Sequence, residues 1–511
     1  MSIAAISWTR DALSLAVVFR YAVVVLVGVL LVLPLWIVKY PPIVDYPDHL
    51  ARAYILHHLN DPHQIFAEWY GPDWGPAPYI LGDSLLQGLQ YVSSIYVAGR
   101  LFLTLCVLGI PVATWLFLRQ ASPGNEYLAL WALPVAYNTN FLMGYLNYQL
   151  SITLALLVAA IWLAYLKSPK LSTWLLLLLL VTTLYLTHLG GFGAAGVALV
   201  LYVLIARRRL LELVQAGLLF VPGLTCFLYV KMHSWSTRSL DYGSWHVAEK
   251  LVTLTTPLRG YSRIIDAVCL LIFVVCIILA LRKNQDLKIF GVWMAVSIAF
   301  VVLHFSLPDR FGDLTSINTR FPPFAFLFAL AVASFGKRKQ WVIGCAILVF
   351  LLRTAYLGFY FHVEQRKLEG LAAAFAAVPE HSVLSALSPP DIHATHRLAG
   401  NRYVNRDDLH FWAYGIIDRG WVSPSLLHQK GVQPIIFRQA IYLADQAGGG
   451  YPFTAAPPDW QRLRQDYDAI WANNVPFLAP GLSTIGFASY TAGEVTVYTI
   501  RKDGAGSEEK N

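Results

Sequence analysis

The chain has 511 residues, of which 57% are hydrophobic and only 13% charged, and its mean hydropathy is +0.54. A soluble protein of this length needs far more polar surface, so composition excludes that class and leaves a polytopic membrane protein. The formal net charge of +8 reads as loop bias toward one face of a membrane, and no nucleic-acid partner is expected.

In chain order, eleven apolar runs approach the roughly 20 residues that a span needs. They are 15–37, 100–118, 126–140, 146–166, 171–187, 190–206, 210–230, 263–281, 289–305, 321–336 and 341–360. No small-residue cleavage site follows the first, which reads as an uncleaved helix. One set of short loops carries Arg119, then Lys167 and Lys170, then Arg207, Arg208 and Arg209, then Arg282, Lys283 and Lys288, then Lys337, Arg338 and Lys339. The opposite turns, 138–145 and 188–193, carry no lysine or arginine. The positive-inside rule makes the first set cytoplasmic, and an odd number of spans then puts the N-terminus inside and the C-terminus outside. The sequence has no Asn-x-Ser/Thr sequon, which favours a bacterial inner membrane with a periplasmic exterior.

The first exterior loop, 38–99, contains HLARAYILHHL and YILGDSLLQGLQYVSSIYVAG, which read as interfacial amphipathic helices, joined by the turn-rich EWYGPDWGPAP. Further exterior stretches are 231–262, 307–320 and everything after 361. From 362 the pattern changes. EQRKLEGLAAAFAAVP and PPDWQRLRQDY read as helices, SVLSAL and DAIWA as strands, and FASYTAGEVTVYTI as a hairpin around Gly493. The expected fold is therefore a polytopic α-helical membrane module over 1–361, a periplasmic α/β domain over 362–503, and a disordered tail over 504–511. All five cysteines (Cys106, Cys226, Cys269, Cys276, Cys345) fall in apolar runs, as small core residues do.

Several residues could carry chemistry. Asp45, Asp48 and His49 stand where the chain leaves the first span; either acid could cap the helix that follows, act as a general base, or join His49 in holding a divalent cation. Arg320 precedes an expected helix, where a cation opposes the macrodipole, so phosphate binding competes with interfacial snorkelling. Arg310 is a second such candidate, and Arg353, inside the last span, should face protein or an aqueous cavity. His188, in THLGG, could donate to a phosphate. Tyr145 and Asn147, in GYLNYQL, and Trp245, in WSTRSLDYGSWHVAEK, could contact a sugar, although tyrosines there also suit an aromatic belt.

The acidic VDYPDHLARA just after the first span, TRFPP with Arg320 in a late exterior loop, about eleven spans and an exterior C-terminal α/β domain together resemble the GT-C superfamily of integral-membrane glycosyltransferases, such as the protein O-mannosyltransferases and the lipid A aminoarabinose transferases. The resemblance implies a sugar delivered on a polyprenyl phosphate and moved, with inversion, to a lipid-linked or cell-envelope glycan acceptor on the periplasmic face. It implies Asp45 as base or metal ligand with Asp48 second, and Arg320 on the donor phosphate, with Arg353, His188 or Arg310 assisting. His49, Asn147, Tyr145 and Trp245 would then line the substrate. Many members have adjacent acids; here they are three apart, which leaves the base and any divalent cation at Asp45, Asp48 and His49 open. No nucleotide-binding loop is present. Competing readings are a transporter or flippase of lipid-linked glycans, an O-antigen ligase- or polymerase-like enzyme, and a receptor or assembly scaffold.

Overall fold

Apolar runs without an internal cap become long helices, because in lipid each backbone amide must find its partner within its own segment. The structure, a computed structural model, describes residues 21–234, 240–241, 247–281, 287–308, 310–311, 316–388, 408–426, 432–441 and 458–502. Helix α1 (Tyr21–Trp36) leads through Pro41 and Pro42 to α2 (Tyr46–His57), α3 (Ile80–Gln90) and α4 (Ile95–Ala121). Then come α5 (Leu146–Lys167), α6 (Leu171–Thr187), α7 (Leu189–Tyr202), α8 (Leu210–Ser234), α9 (Arg263–Leu281), α10 (Leu287–Ser306), α11 (Pro322–Ala329) and α12 (Lys339–Ala372). Among the described residues five helices are long and apolar enough to cross a membrane: α4, α5, α7 with its continuation to Arg207, α8 and α12. Helices α1 and α6 and the Gly291–Ser306 part of α10 are shorter apolar helices.

Two of the expected spans are not continuous helices. Over 126–140 the backbone forms a 3-10 helix (Glu126–Trp131) and two single turns (Ala132–Val135, Thr139–Leu142). Asn138 ends the run by capping a new turn, its side chain accepting from Asn140 N and Phe141 N at 2.9 and 3.2 Å. Over 321–336, α11 stops at Ala329 after eight residues, about 12 Å of rise. Both stretches are largely buried among other helices, where irregular backbone is tolerated.

Helix α12 is a single helix of 34 residues, so the expected boundary at 361 lies inside it. Strand β1 (Tyr70–Pro72) lies in the first loop, and β2 (Leu240–Asp241) pairs with β3 (Arg310–Phe311). Beyond α12 come β4 (Leu384–Leu387), β5 (Ile435–Phe437), β6 (Ala469–Asn473), β7 (Gly486–Ala492) and β8 (Val495–Ile500). Four of them form a sheet in the order β4-β6-β8-β7, in which β4 and β6 run parallel and the β7–β8 hairpin turns at Gly493, at φ +58°. The C-terminal region is sewn onto the first loop. β1 pairs antiparallel with β5, and the Tyr70 hydroxyl donates to Ser423 O and accepts from Ser423 N, both at 2.8 Å. One apolar core continues from α1 through α2 and α4 into the sheet.

That docking corrects the expectation for α2. Nine of its twelve residues are buried, so protein covers most of a helix expected to show one face to lipid headgroups. It includes Arg52, which meets Asp83 of α3 through two bonds of 2.8 and 3.2 Å, with both side chains at most 2% exposed. Asp83→Ala would leave a buried guanidinium without its carboxylate, at a cost of about 3–5 kcal/mol, whereas an apolar pair of similar volume (Arg52→Met with Asp83→Leu) should restore most of it. Thermal unfolding in detergent measures both. An Asp83→Ala protein that melts like the wild type would refute the pairing.

Candidate active site

Pro41 and Pro42 direct the chain across a turn formed by 142–144. Val44 N donates to Leu142 O at 3.1 Å and Asp45 N to Met143 O at 3.2 Å. Gly144, at φ +85°, permits this approach, since a Cβ there would stand 2.6 Å from Asp45 N. Asp45 sits immediately before α2 but makes no capping bond with its side chain. Asp48, one turn on, lies in the first turn of the helix, where the macrodipole favours a carboxylate. The two acids thus share a helix face, and a residue the sequence reading missed stands between them. His410 faces Asp48 Oδ2 with Nδ1 at 2.9 Å and Asp45 Oδ1 with Nε2 at 3.4 Å. Asp48 is fully buried, whereas Asp45 and His410 each keep 16% exposure.

The electrostatics follow from this enclosure. Burial pushes the Asp45 carboxyl up to about 7, with His410 opposing and Asp48 adding to the rise. Burial alone would lower the His410 imidazole, but Asp48 and Asp45 outweigh it and hold it up at about 9. Near neutral pH Asp45 is therefore poised to exchange a proton beside a histidinium–Asp48 ion pair.

The same turn carries the second half of the site. Tyr145, next to Gly144, places its ring 5.2 Å below the Arg320 guanidinium, and the Tyr148 hydroxyl donates to Arg320 O. Arg320 NH1 approaches His188 Nε2 at 3.0 Å. His188 also caps α7, its Nδ1 accepting from Gly190 N at 2.8 Å. A neutral imidazole that accepts at Nδ1 carries its proton on Nε2. The guanidinium and the Nε2 edge of His188 thus meet face to face at 3.0 Å, a contact that an anionic oxygen entering between them would turn into two donors to one acceptor. The Tyr79 ring, 4.7 Å from that of His188, closes the other side.

Other expected site residues are employed elsewhere. His49 Nε2 donates to Gly144 O at 3.1 Å and its Nδ1 accepts from Arg52 at 2.9 Å, so both ring nitrogens are taken. Burial and the adjacent Arg52 drive its basicity down to about 3. The proposed cation set of Asp45, Asp48 and His49 therefore does not converge, and no group of three His, Cys, Asp or Glu able to hold a metal occurs among the described residues. Asn147 serves the backbone of the first loop: it donates to Tyr79 O at 2.8 Å and accepts from Gly82 N at 2.9 Å, supplying from afar the cap that α3 lacks. Arg353 pairs with Asp266 at 2.9 Å and donates to Leu258 O and Tyr137 O, partners it does not share with Arg320. Its charge is answered within the helix bundle. Arg310 enters the short β2–β3 ladder through its backbone, and its side chain, like Trp245, lies outside what is described.

No protein-family model and no curated protein matches the sequence. Among the solved structures that match are two that do so along almost the whole chain. ArnT from Cupriavidus metallidurans bound to undecaprenyl phosphate shares 13% identity, covers 96% of this chain and 99% of its own, and superposes with a TM-score of 0.54. The apo state of the same protein gives 14% identity, 97% and 100% coverage and a TM-score of 0.51. The likeness shows that this chain shares the overall fold of ArnT.

Proposed function

We propose that this chain is a membrane glycosyltransferase that moves a sugar from a polyprenyl-phosphate donor to a hydroxyl of a lipid-linked or cell-envelope glycan, on the periplasmic face of a bacterial inner membrane. One observation carries the proposal. The turn at 142–144, with Tyr145 next to it, holds Asp45 on one side through backbone bonds and Arg320 on the other through the Tyr145 ring, so one short segment ties the candidate base to the candidate phosphate ligand. A fold relative that holds undecaprenyl phosphate supports the choice of donor class, and the positive-inside loops support the side.

In this reading Arg320 and His188 bind the donor phosphate while its lipid tail lies among the helices. Asp45 takes the proton of the acceptor hydroxyl as that oxygen attacks the anomeric carbon from the face opposite the phosphate. The carbon–oxygen bond to phosphate breaks, the configuration inverts, and the charge growing on the departing phosphate is met by donors already in place. The His410–Asp48 pair flanks the base.

The pH dependence follows with its sign. Asp45 must be ionised, so kcat/KM should rise through about 7; His410 must stay protonated, so it should fall again through about 9. A profile flat across both limbs would contradict the assignment. The direct test is transfer of radiolabelled sugar from a panel of polyprenyl-phosphate donors by purified protein in a cell-derived lipid extract, with and without chelator. Turnover that needs Asp45 and Arg320 supports the proposal. Transfer indifferent to both, or no transfer by a folded protein, overturns it.

A further inference from the structure

The sequence places the acids near one end of the chain and gives no reason to expect a third group from the other end. His410 comes from beyond α12, yet its position is set as firmly as theirs. It immediately precedes a 3-10 turn, Phe411–Ala413, whose Phe411 is 1% exposed. Phe411 stacks on Phe375 at 5.6 Å and meets Tyr40 edge-on at 5.1 Å, and Tyr414 packs on Tyr40 at 4.7 Å. Polar ties add to this: Tyr96 of α4 donates to Asp418 at 2.6 Å, and Lys367 of α12 lies 3.7 Å from Asp408. The exit of α1, the start of α4 and the end of α12 therefore all hold the segment that carries the ring.

The shape of the ring matters as much as its place. Two carboxylates one helical turn apart repel each other across a buried face. An ammonium would answer them as one point charge, whereas an imidazole is a rigid plane with a nitrogen toward each. We propose that His410 is a positioning residue for sugar transfer, spanning Asp45 and Asp48 so that the Asp45 carboxylate stays aimed at the acceptor hydroxyl. This rests on the glycosyltransferase reading above, and it makes the C-terminal region part of the active site. Asp48, wholly buried, serves as the anchor at the far side of the ring.

Three variants test this through kcat and KM. His410→Ala removes both links. His410→Gln can keep a donor toward Asp45, and His410→Asn one toward Asp48. The expected result is a fall in kcat of about a hundredfold for alanine, a donor KM within about twofold of wild type, and the larger recovery with glutamine. A folded alanine variant with wild-type kcat, or one changed in KM alone, overturns the proposal. So does equal failure of all three variants when each melts like the wild type, because a mere tether has no preference for geometry. A second readout needs no turnover: labelling of carboxyls with a carbodiimide and an amine, read by peptide mass spectrometry. Asp48 should resist labelling in the wild type and become reactive in His410→Ala; unchanged labelling overturns the placement. A wild type that labels as expected but transfers no sugar removes the glycosyltransferase reading and leaves the carboxylate clamp standing.

Discussion

Replacing Asp45 by asparagine is expected to lower kcat for sugar transfer by about a thousandfold, within the range that a positioned general base contributes. The amide keeps the size of the side chain and its place on the 142–144 turn, but it cannot take a proton. The fold should not suffer. Burial already disfavours the ionised form, since the folded-state value near 7 stands above that of a free carboxyl. The stability this group contributes is present below the unfolded value and is lost as pH rises through about 7. At pH 8 the variant should therefore melt no lower than the wild type, while its transfer collapses. Wild-type kcat in Asp45→Asn would remove the proposed base. A collapse accompanied by a much lower melting temperature would instead make Asp45 structural.

The second large effect is expected at Arg320. Arg320→Ala should reduce kcat about a hundredfold or more, because one preorganised donor to a developing oxyanion is worth that much. Lysine should recover only part of it: a point charge lacks the planar fork and stacks less well on Tyr145. Removal of Arg353 makes a contrast. Its partners are Asp266 and backbone carbonyls, so Arg353→Met should lower stability with little effect on the kcat of the protein that remains folded. Single-turnover rates beside melting curves separate the two arginines; equal losses of kcat at both would contradict the division.

Residues at the ends of apolar runs were legible because local pattern suffices there. Asp45 follows the first run, Arg320 opens a late one, and His188 sits in a turn between two, and the fold brings Arg320 and His188 together. The strands and hairpin after α12 were legible too, from alternation and from Gly493. Partnerships across the chain were not. Asn147 resembles a sugar ligand until the backbone of Gly82 is placed against it, and Arg353 resembles a phosphate ligand until Asp266 arrives from another helix. His410 gave no local signal beyond its aromatic surroundings in HFWAY, since its meaning lies wholly in contacts with α2. Residues 126–140 and 321–336 misled for a related reason: hydropathy records apolar surroundings and does not distinguish lipid from protein.

A donor phosphate should sit between Arg320 and His188, across one turn from Asp45. The most direct measurement is an experimental structure of the protein in lipid nanodiscs with undecaprenyl phosphate added. Phosphate density is expected within hydrogen-bonding distance of both Arg320 and His188, on the side that faces Asp45. Phosphate bound beside Arg353 and Asp266, or touching neither Arg320 nor His188, would contradict it.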